Sequence, residues 1–352
     1  MNINYDIIYE KTQKFISEIK EITDNLIDSE KHRYVGTDKW IVVLEKTEDT
    51  ITSENSNYIN ENNKATALYW GDTFKVIKII NKFNSHTNTS AITFSVGSFE
   101  VKYVVGTNVK FPMYCDKETN TQMGGMSFYM SVEPAYYSNI NTDDYEGYFK
   151  VWTISGSLKE EGVFINGKIF GVWKFYFPTG QLDAEQTYIN NLLCGEDKEY
   201  SIEGNLLTKG HFEKDLKVGE WFRYNKKLSE VSDIFNSEDD NYLVRIMETY
   251  VDDILNGPYV VLNETNDINM FKVCIAGTYE NNEKHGLWVS YHKNGHAKTI
   301  EHYKNGVKYG SSVEYFDSDM RVRSNTYSVN LRDNIQNNTE SRKRKASEVD
   351  SE

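Results

Sequence analysis

Glycine recurs at a fixed interval through the second half of the chain. Gly147, Gly171, Gly195 and Gly219 are each 24 residues apart, and Gly286 to Gly310 is another 24. The interval is 38 from Gly219 to Gly257 and 29 from Gly257 to Gly286, as though loops had been inserted. Aligning the chain on these glycines brings out further columns. Two residues later stand Phe149, Trp173, Trp221, Tyr259 and Trp288; at the fifth position stand Trp152, Tyr176, Tyr200, Tyr224, Tyr291 and Tyr315. Gly156, Gly180, Gly204 and Gly295 occupy the ninth position, and Leu158, Leu182 and Leu206 follow two later. Seven residues before each next glycine come Phe164, Tyr188, Phe212, Tyr250, Tyr279 and Tyr303. A period of this length marks a supersecondary unit that is stable only when stacked on its neighbours.

Each unit holds two short aromatic and β-branched segments separated by turn residues, the pattern of strand, turn and strand. Phe177-Pro178-Thr179-Gly180 and His292-Lys293-Asn294-Gly295 supply the inner turns, where glycine adopts the positive φ that other residues resist. The outer turns are Asn166-Gly167, Asn190-Asn191, Asp252-Asp253 and Asn305-Gly306, and Asn-Gly between apolar strands is a strong hairpin signal. The spacing predicts consecutive hairpins in one elongated antiparallel meander over 141–330, of about seven units, with the aromatics forming its core first of all. Positions two and five differ in parity, so their side chains point to opposite faces unless a bulge intervenes. The polar insertions Ser229–Asn241 and Asn263–Met270 read as exposed loops, either binding loops or solubilising surface.

Units of the form Gly-x-Trp-x-x-Tyr-x-x-x-Gly-x-Leu with a trailing Tyr-x-Asn-Gly resemble MORN repeats, in the 24-residue variant of bacterial and large-DNA-virus proteins. The resemblance covers about residues 147 to 330. It is specific in Gly171–Asn191 and Gly286–Gly306, and weaker from Gly195, where Asp197 replaces the first aromatic. Ser312, Asp319 and Arg321 depart from the pattern in the last unit, as a terminal cap does. The family implies a non-enzymatic scaffold for protein partners. Trp173, Tyr176, Trp221, Tyr224, Trp288 and Tyr291 would hold the repeats together, their exposed members contributing contacts. Some MORN proteins are linked to phospholipid, the alternative role; an acidic repeat region lacks the attraction that polybasic segments have for anionic membranes.

Residues 1–34 form a separate segment. Ile8, Phe15, Ile19, Ile22 and Leu26 recur at helical spacing, which predicts an amphipathic helix over Tyr5–Tyr34. Residues 35–140 read as a β-rich α+β module, with strands at Trp40–Leu44, Ala67–Trp70, Phe74–Ile80, Ala91–Val96 and Glu100–Val105. Leu68-Tyr69-Trp70-Gly71-Asp72, Tyr103-Val104-Val105-Gly106 and Gly125–Ser131 with Ala135 resemble a module that precedes repeats in proteins of large amoeba-infecting DNA viruses of the mimivirus kind. Gly125-x-x-Phe128-Tyr129-x-Ser131 with Ala135 and Tyr137 also resembles, distantly, the strand-then-helix segment of ADP-ribosyltransferases; that reading makes the module an enzyme. The plainer alternative is that Ser131 caps a short helix while Phe128 and Tyr129 fill the core.

Motifs for nucleotide binding, zinc proteolysis or serine hydrolysis are absent. His285, His292, His296 and His302 lie in one repeat but have no carboxylate or cysteine at ligand spacing, so solvent-facing histidines are expected and no metal or cofactor is assigned. Asp143-Asp144 and Asp239-Asp240 fall in loop-like sequence with no partner for acid–base work. Three cysteines, Cys115, Cys194 and Cys274, form no disulfide or zinc pattern, which points to a reducing, intracellular setting, the host cytoplasm for a viral chain. A net charge of −14 argues against nucleic acid as a partner. Residues 331–352 are poor in apolar residues and read as a disordered tail, in which Arg342-Lys343-Arg344-Lys345 resembles a nuclear-import cluster.

Overall fold

The computed structural model describes residues 5–54, 59, 61–96, 99–111, 113–116, 121–231, 243–263, 272–316 and 321–328. The tail and its basic cluster, and most of both insertions, lie outside these residues. Two compact units are present, one of residues 1–193 with 200–205 and one of 194–199 with 206–352.

In the first unit, helix α1 (Tyr5–Asp24) precedes β1 (His32–Gly36), β2 (Trp40–Lys46), β3 (Leu68–Gly71), β4 (Thr73–Asn81) and β5 (Asn84–Asn88). There follow β6 (Ala91–Val96), β7 (Phe99–Val104), β8 (Asn108–Lys110), β9 (Met113–Asp116), β10 (Thr121–Gly124), β11 (Met126–Tyr129) and α2 (Val132–Tyr137). The main sheet runs β3-β11-β1-β2-β4-β5, with β8 also on β4; β6 pairs β7 and β9 pairs β10. Strand β2 is apolar from Trp40 to Leu44 because both its faces are covered there. Val42 and Leu44 pack with Tyr69, Phe74, Val76 and Phe128. Ile41 and Val43 pack with Ile16 and Ile19 of α1 and with Tyr136 and Tyr137 of α2.

Helix α1 is shorter than its periodicity suggests. It ends at Asp24, a turn at Asp28 takes φ +60°, and His32–Gly36 is a strand. Asp tolerates the left-handed conformation, which cannot propagate a right-handed helix. The five expected strands are all present within one or two residues, as β2, β3, β4, β6 and β7.

The repeats form an antiparallel meander in which chain order is sheet order. The first unit contributes β12 (Gly147–Trp152), β13 (Leu158–Ile165), β14 (Lys168–Tyr176) and β15 (Leu182–Ile189); β16 (Leu192–Tyr200) falls at the division. The second contributes β17 (Leu206–Glu213), β18 (Leu216–Lys227), the short helix α3 (Leu228–Val231), β19 (Leu243–Val251), β20 (Ile254–Leu255) and β21 (Gly257–Asn263). It ends with β22 (Lys272–Glu280), β23 (Glu283–Tyr291), β24 (Ala297–Lys304), β25 (Val307–Lys308), β26 (Gly310–Tyr315) and β27 (Val322–Ser328). The core of this unit joins Leu228 of α3 with Ile246, Tyr259, Val261, Cys274 and Trp288.

Candidate interaction surface

The repeat tryptophans are cohesive. Trp173, Trp221 and Trp288 are 5 %, 4 % and 4 % exposed. Each ring lies on a glycine of the preceding strand. A Cβ added to Gly162 would sit 2.3 Å from Trp173, one on Gly210 2.1 Å from Trp221, and one on Gly277 2.2 Å from Trp288. Each indole N–H donates to the carbonyl of the residue after that glycine: Val163 at 3.3 Å, His211 at 3.2 Å and Thr278 at 3.1 Å. The register explains the fit. Glu161 pairs Lys174 and Val163 pairs Phe170, so Gly171-Val172-Trp173 stand against Gly162 alone. The same three-against-one bulge recurs at Gly210 and at Gly277. Gly171, Gly219 and Gly286 absorb it with φ of +73°, +67° and +69°, which gives the register glycine its physical role.

On its other side each tryptophan faces a polar residue: Gln186 opposite Trp173, Glu248 opposite Trp221, Glu301 opposite Trp288. A tyrosine two residues on donates its hydroxyl to each of these, Tyr188 at 2.7 Å, Tyr250 at 3.1 Å and Tyr303 at 2.9 Å. Glu248 and Glu301 are buried, and Arg223 and Lys308 donate to them as well. Burial, then the Glu248 carboxylate, pushes the Tyr250 hydroxyl up to about 12. The units therefore alternate: a Gly nine residues before the register glycine goes with Trp two after it, and Gln or Glu goes with Asp197, Tyr259 or Ser312. Lys217 stacks 4.3 Å from the Trp221 ring and Lys284 4.3 Å from that of Trp288; burial holds the Lys284 amine below its ordinary range.

Positions two and five do point to opposite faces. Tyr176 donates to Glu161 at 2.5 Å and Tyr200 to Glu185 at 3.3 Å, on the face away from Trp173. Tyr176, Tyr224 and Tyr291 are half-buried, and Arg245 lies 4.6 Å from the Tyr224 ring. The bulge near position five falls on the partner strand, where Asp183 and Lys298 are the extra residues.

The turns sit where expected. Gly156, Gly180, Gly204 and Gly295 have φ between +84° and +94°, and the Asn166-Gly167 and Asn305-Gly306 pairs are left-handed at both residues, as a tight hairpin needs. The second outer-turn residue also latches onto the neighbouring strand. Asn282 accepts from the Leu255 N–H at 2.8 Å while its own N–H donates back at 2.9 Å; Asp253 does the same with Lys217 and Asn191 with Ile169.

Several exposed aliphatic residues fall at equivalent repeat positions. Val172 and Leu287, each one residue after a register glycine, are 52 % and 51 % exposed. Ile189 and Leu192 flank one outer turn, Val251 and Ile254 another, and all four are exposed. Sequence alone does not single out these aliphatic residues, because the same columns hold Glu196, Glu220, Pro258 and Ser311 in other units and Glu280 and Glu283 beside another turn.

In the first unit, Phe128 is fully buried as expected, and Ser131 precedes α2. Its hydroxyl does not cap that helix but donates to the Ala65 carbonyl at 2.7 Å. Lys82 is fully buried, its ammonium donating to the Ser138 carbonyl at 2.6 Å beyond α2, and burial draws it down to about 7. Asp143-Asp144 lies in the turn before β12, where the Asp143 N–H donates to the Asn141 side chain at 3.0 Å, and Asp239-Asp240 lies outside the described residues. His292 and His296 join backbones across their turn at 2.7 Å, and among the described residues no group of three or more His, Cys, Asp and Glu could hold a metal ion. No helix among them is long and apolar enough to cross a membrane.

Residues 171–190 and 284–305 match the MORN repeat variant. The chain carries MORN repeats. Both matched MORN segments start at or just before a register glycine followed by a buried tryptophan, Trp173 or Trp288. No curated protein matches the chain.

Proposed function

We propose that this MORN-repeat chain is a non-enzymatic scaffold whose meander docks a protein partner. The observation that carries the reading is the division of labour within the repeat. Tryptophans are spent on internal packing, while aliphatic residues stay exposed at positions the repeat itself sets, Val172, Leu287 and the turn-flanking pairs Ile189/Leu192 and Val251/Ile254. Exposed apolar residues brought into register are a docking feature when they recur on a rigid frame. The resemblance of residues 67–137 to modules in large amoeba-infecting DNA viruses makes a viral scaffold the natural setting.

The test is affinity capture from the producing cells with the full chain and with Val172→Glu and Leu287→Glu together. A specific protein captured by the parent and lost from the variant, at unchanged melting, supports docking. Equal capture by both refutes it. Co-flotation of the chain with phospholipid vesicles, lost in the same variant, would instead favour the membrane role.

A further inference from the structure

The two faces of the second unit are built differently. Residues directly opposite on neighbouring strands share a face. The pairing therefore sets Phe222, Met247, Val260, Ala276, Val289 and Ile300 in one unbroken row from β18 to β24, on the face away from Trp221 and Trp288. All six are apolar and half-buried, and none belongs to the core that the rings of the other face build. The sequence marks the row. Third after the register glycine stand Phe222, Val260 and Val289, where the first three units have Lys150, Lys174 and Lys198. Nearer the inner turns a second row begins: Leu262 pairs Arg245 on one side and Val273 on the other, and Val273 is 38 % exposed. Charge divides along the same face. Arg245 and Lys227 lie on the inner-turn side of the apolar row, Glu220, Glu280 and Glu283 on its outer-turn side.

We infer that this row seats an amphipathic helix of a partner protein, one with acidic residues along one edge of its apolar face and basic residues along the other. The inference rests on the protein-docking reading and names the occupant. Five strand steps span about 24 Å, and the two apolar rows stand about 7 Å apart, a strip as wide as the apolar stripe of one helix. A helix-wide strip of that length covers about 250 Å², against the roughly 800 Å² per partner that a stable dimer buries, so it is too small for a second copy packed face to face. Neighbouring strands turn by about 20–25°, so a straight helix follows about four of them, some three turns. Ala276 leaves a dip between Val260 and Val289 that admits a large apolar side chain, as helix-in-groove recognition requires. The charges set the helix direction. Its acidic edge faces Arg245 and Lys227 while its basic edge faces Glu220, Glu280 and Glu283, and reversing the helix would exchange the edges. Those three carboxylates also repel an anionic bilayer.

The experiment is fluorescence anisotropy of the full chain with a synthetic helical peptide of about 14 residues, with leucines on one face, glutamates along one edge of that face and lysines along the other. Reversible micromolar binding is expected. Val273→Glu, at an exposed position, should weaken it about tenfold at unchanged melting. Lys227→Glu should weaken it about threefold through one edge, and Glu283→Lys about as much through the other. A parent chain that does not bind the peptide overturns the inference. So does binding that Val273→Glu leaves intact, or equal binding of a peptide with the same charges and no leucine. Protein capture that depends on Val172 and Leu287 without peptide binding would overturn the helix and leave docking standing, whereas peptide binding with no protein captured would overturn docking alone.

Discussion

Gly277→Ala is a one-carbon change with a large expected effect. The new Cβ would stand 2.2 Å from Trp288, whereas ordinary contact begins near 3.4 Å, so the indole must withdraw by more than an ångström. The ring is 4 % exposed and packed edge to face on Tyr279, 5.1 Å between centroids, so it has no empty space to enter. Overpacking of this kind costs about 1–3 kcal/mol, and pulling the indole N–H from Thr278 adds about 1 kcal/mol. Replacing a strand glycine returns about 0.5–1 kcal/mol through the unfolded chain. The net is about 2 kcal/mol, or about thirtyfold in the opening equilibrium. Amide hydrogen exchange across β22, β23 and β24 in the full chain reads this locally, which matters because repeat arrays need not unfold in one step. Gly295→Ala is the control: φ is +94° and nothing lies within 4 Å of its Cβ position, so only the backbone cost of about 1–2 kcal/mol applies. In a Trp288→Ala background the Gly277→Ala change should cost almost nothing further, since the clash has been removed. Undiminished protection in Gly277→Ala, or additive losses in the double variant, would refute the packing role of the pair.

Three further outcomes are expected. Glu248→Ala strands the Tyr250 hydroxyl and one Arg223 contact, at about 1–3 kcal/mol, whereas Glu248→Gln should cost clearly less, because Gln186 already serves Tyr188 in the same way; urea midpoints distinguish the two. Asn282→Gly keeps a turn residue at φ +66° and removes only the side-chain acceptor, so faster exchange of the Leu255 amide by about fivefold, about 1 kcal/mol, is expected, with no change at distant turns. Lys82 is drawn down to about 7 from an ordinary 10.5 by burial. Between those values the unfolded chain holds the extra proton, so the first unit should gain stability as pH rises from about 7 toward 10. Lys82→Met should flatten that rise in pH-dependent urea unfolding, and an unchanged slope would remove Lys82 as its source.

The repeat was legible because a hairpin writes its constraints locally. The positive φ at Gly180 and Gly295 and the Asn-Gly pairs depend on adjacent residues, so their chemistry shows in the chain. Gly162, Gly210 and Gly277 were not read, since a glycine needed for a ring eleven residues away shows only when the two columns are compared; its signal is that Gly gives way to Gln186, Glu248 or Glu301 where the next ring is not Trp. The N-terminal helix was read too long because Tyr34 continues the apolar spacing of α1 while belonging to β1. The short strands β5, β8, β9 and β10 carry little alternation of their own and are fixed by tertiary pairing. As for the surface, Val172 and Leu287 look like core residues in sequence, and only the buried rings on the opposite face show that they are not.

The cohesive role of the tryptophans is tested most directly by the glycine α-proton shifts in the NMR spectrum of the full chain, selectively labelled at glycine. With indole rings lying on them, Gly162, Gly210 and Gly277 should show α-protons displaced far upfield, collapsing to ordinary values one at a time in Trp173→Leu, Trp221→Leu and Trp288→Leu. Three glycines at ordinary positions in the parent chain would mean that the rings lie elsewhere, free for a partner instead of holding the strands together.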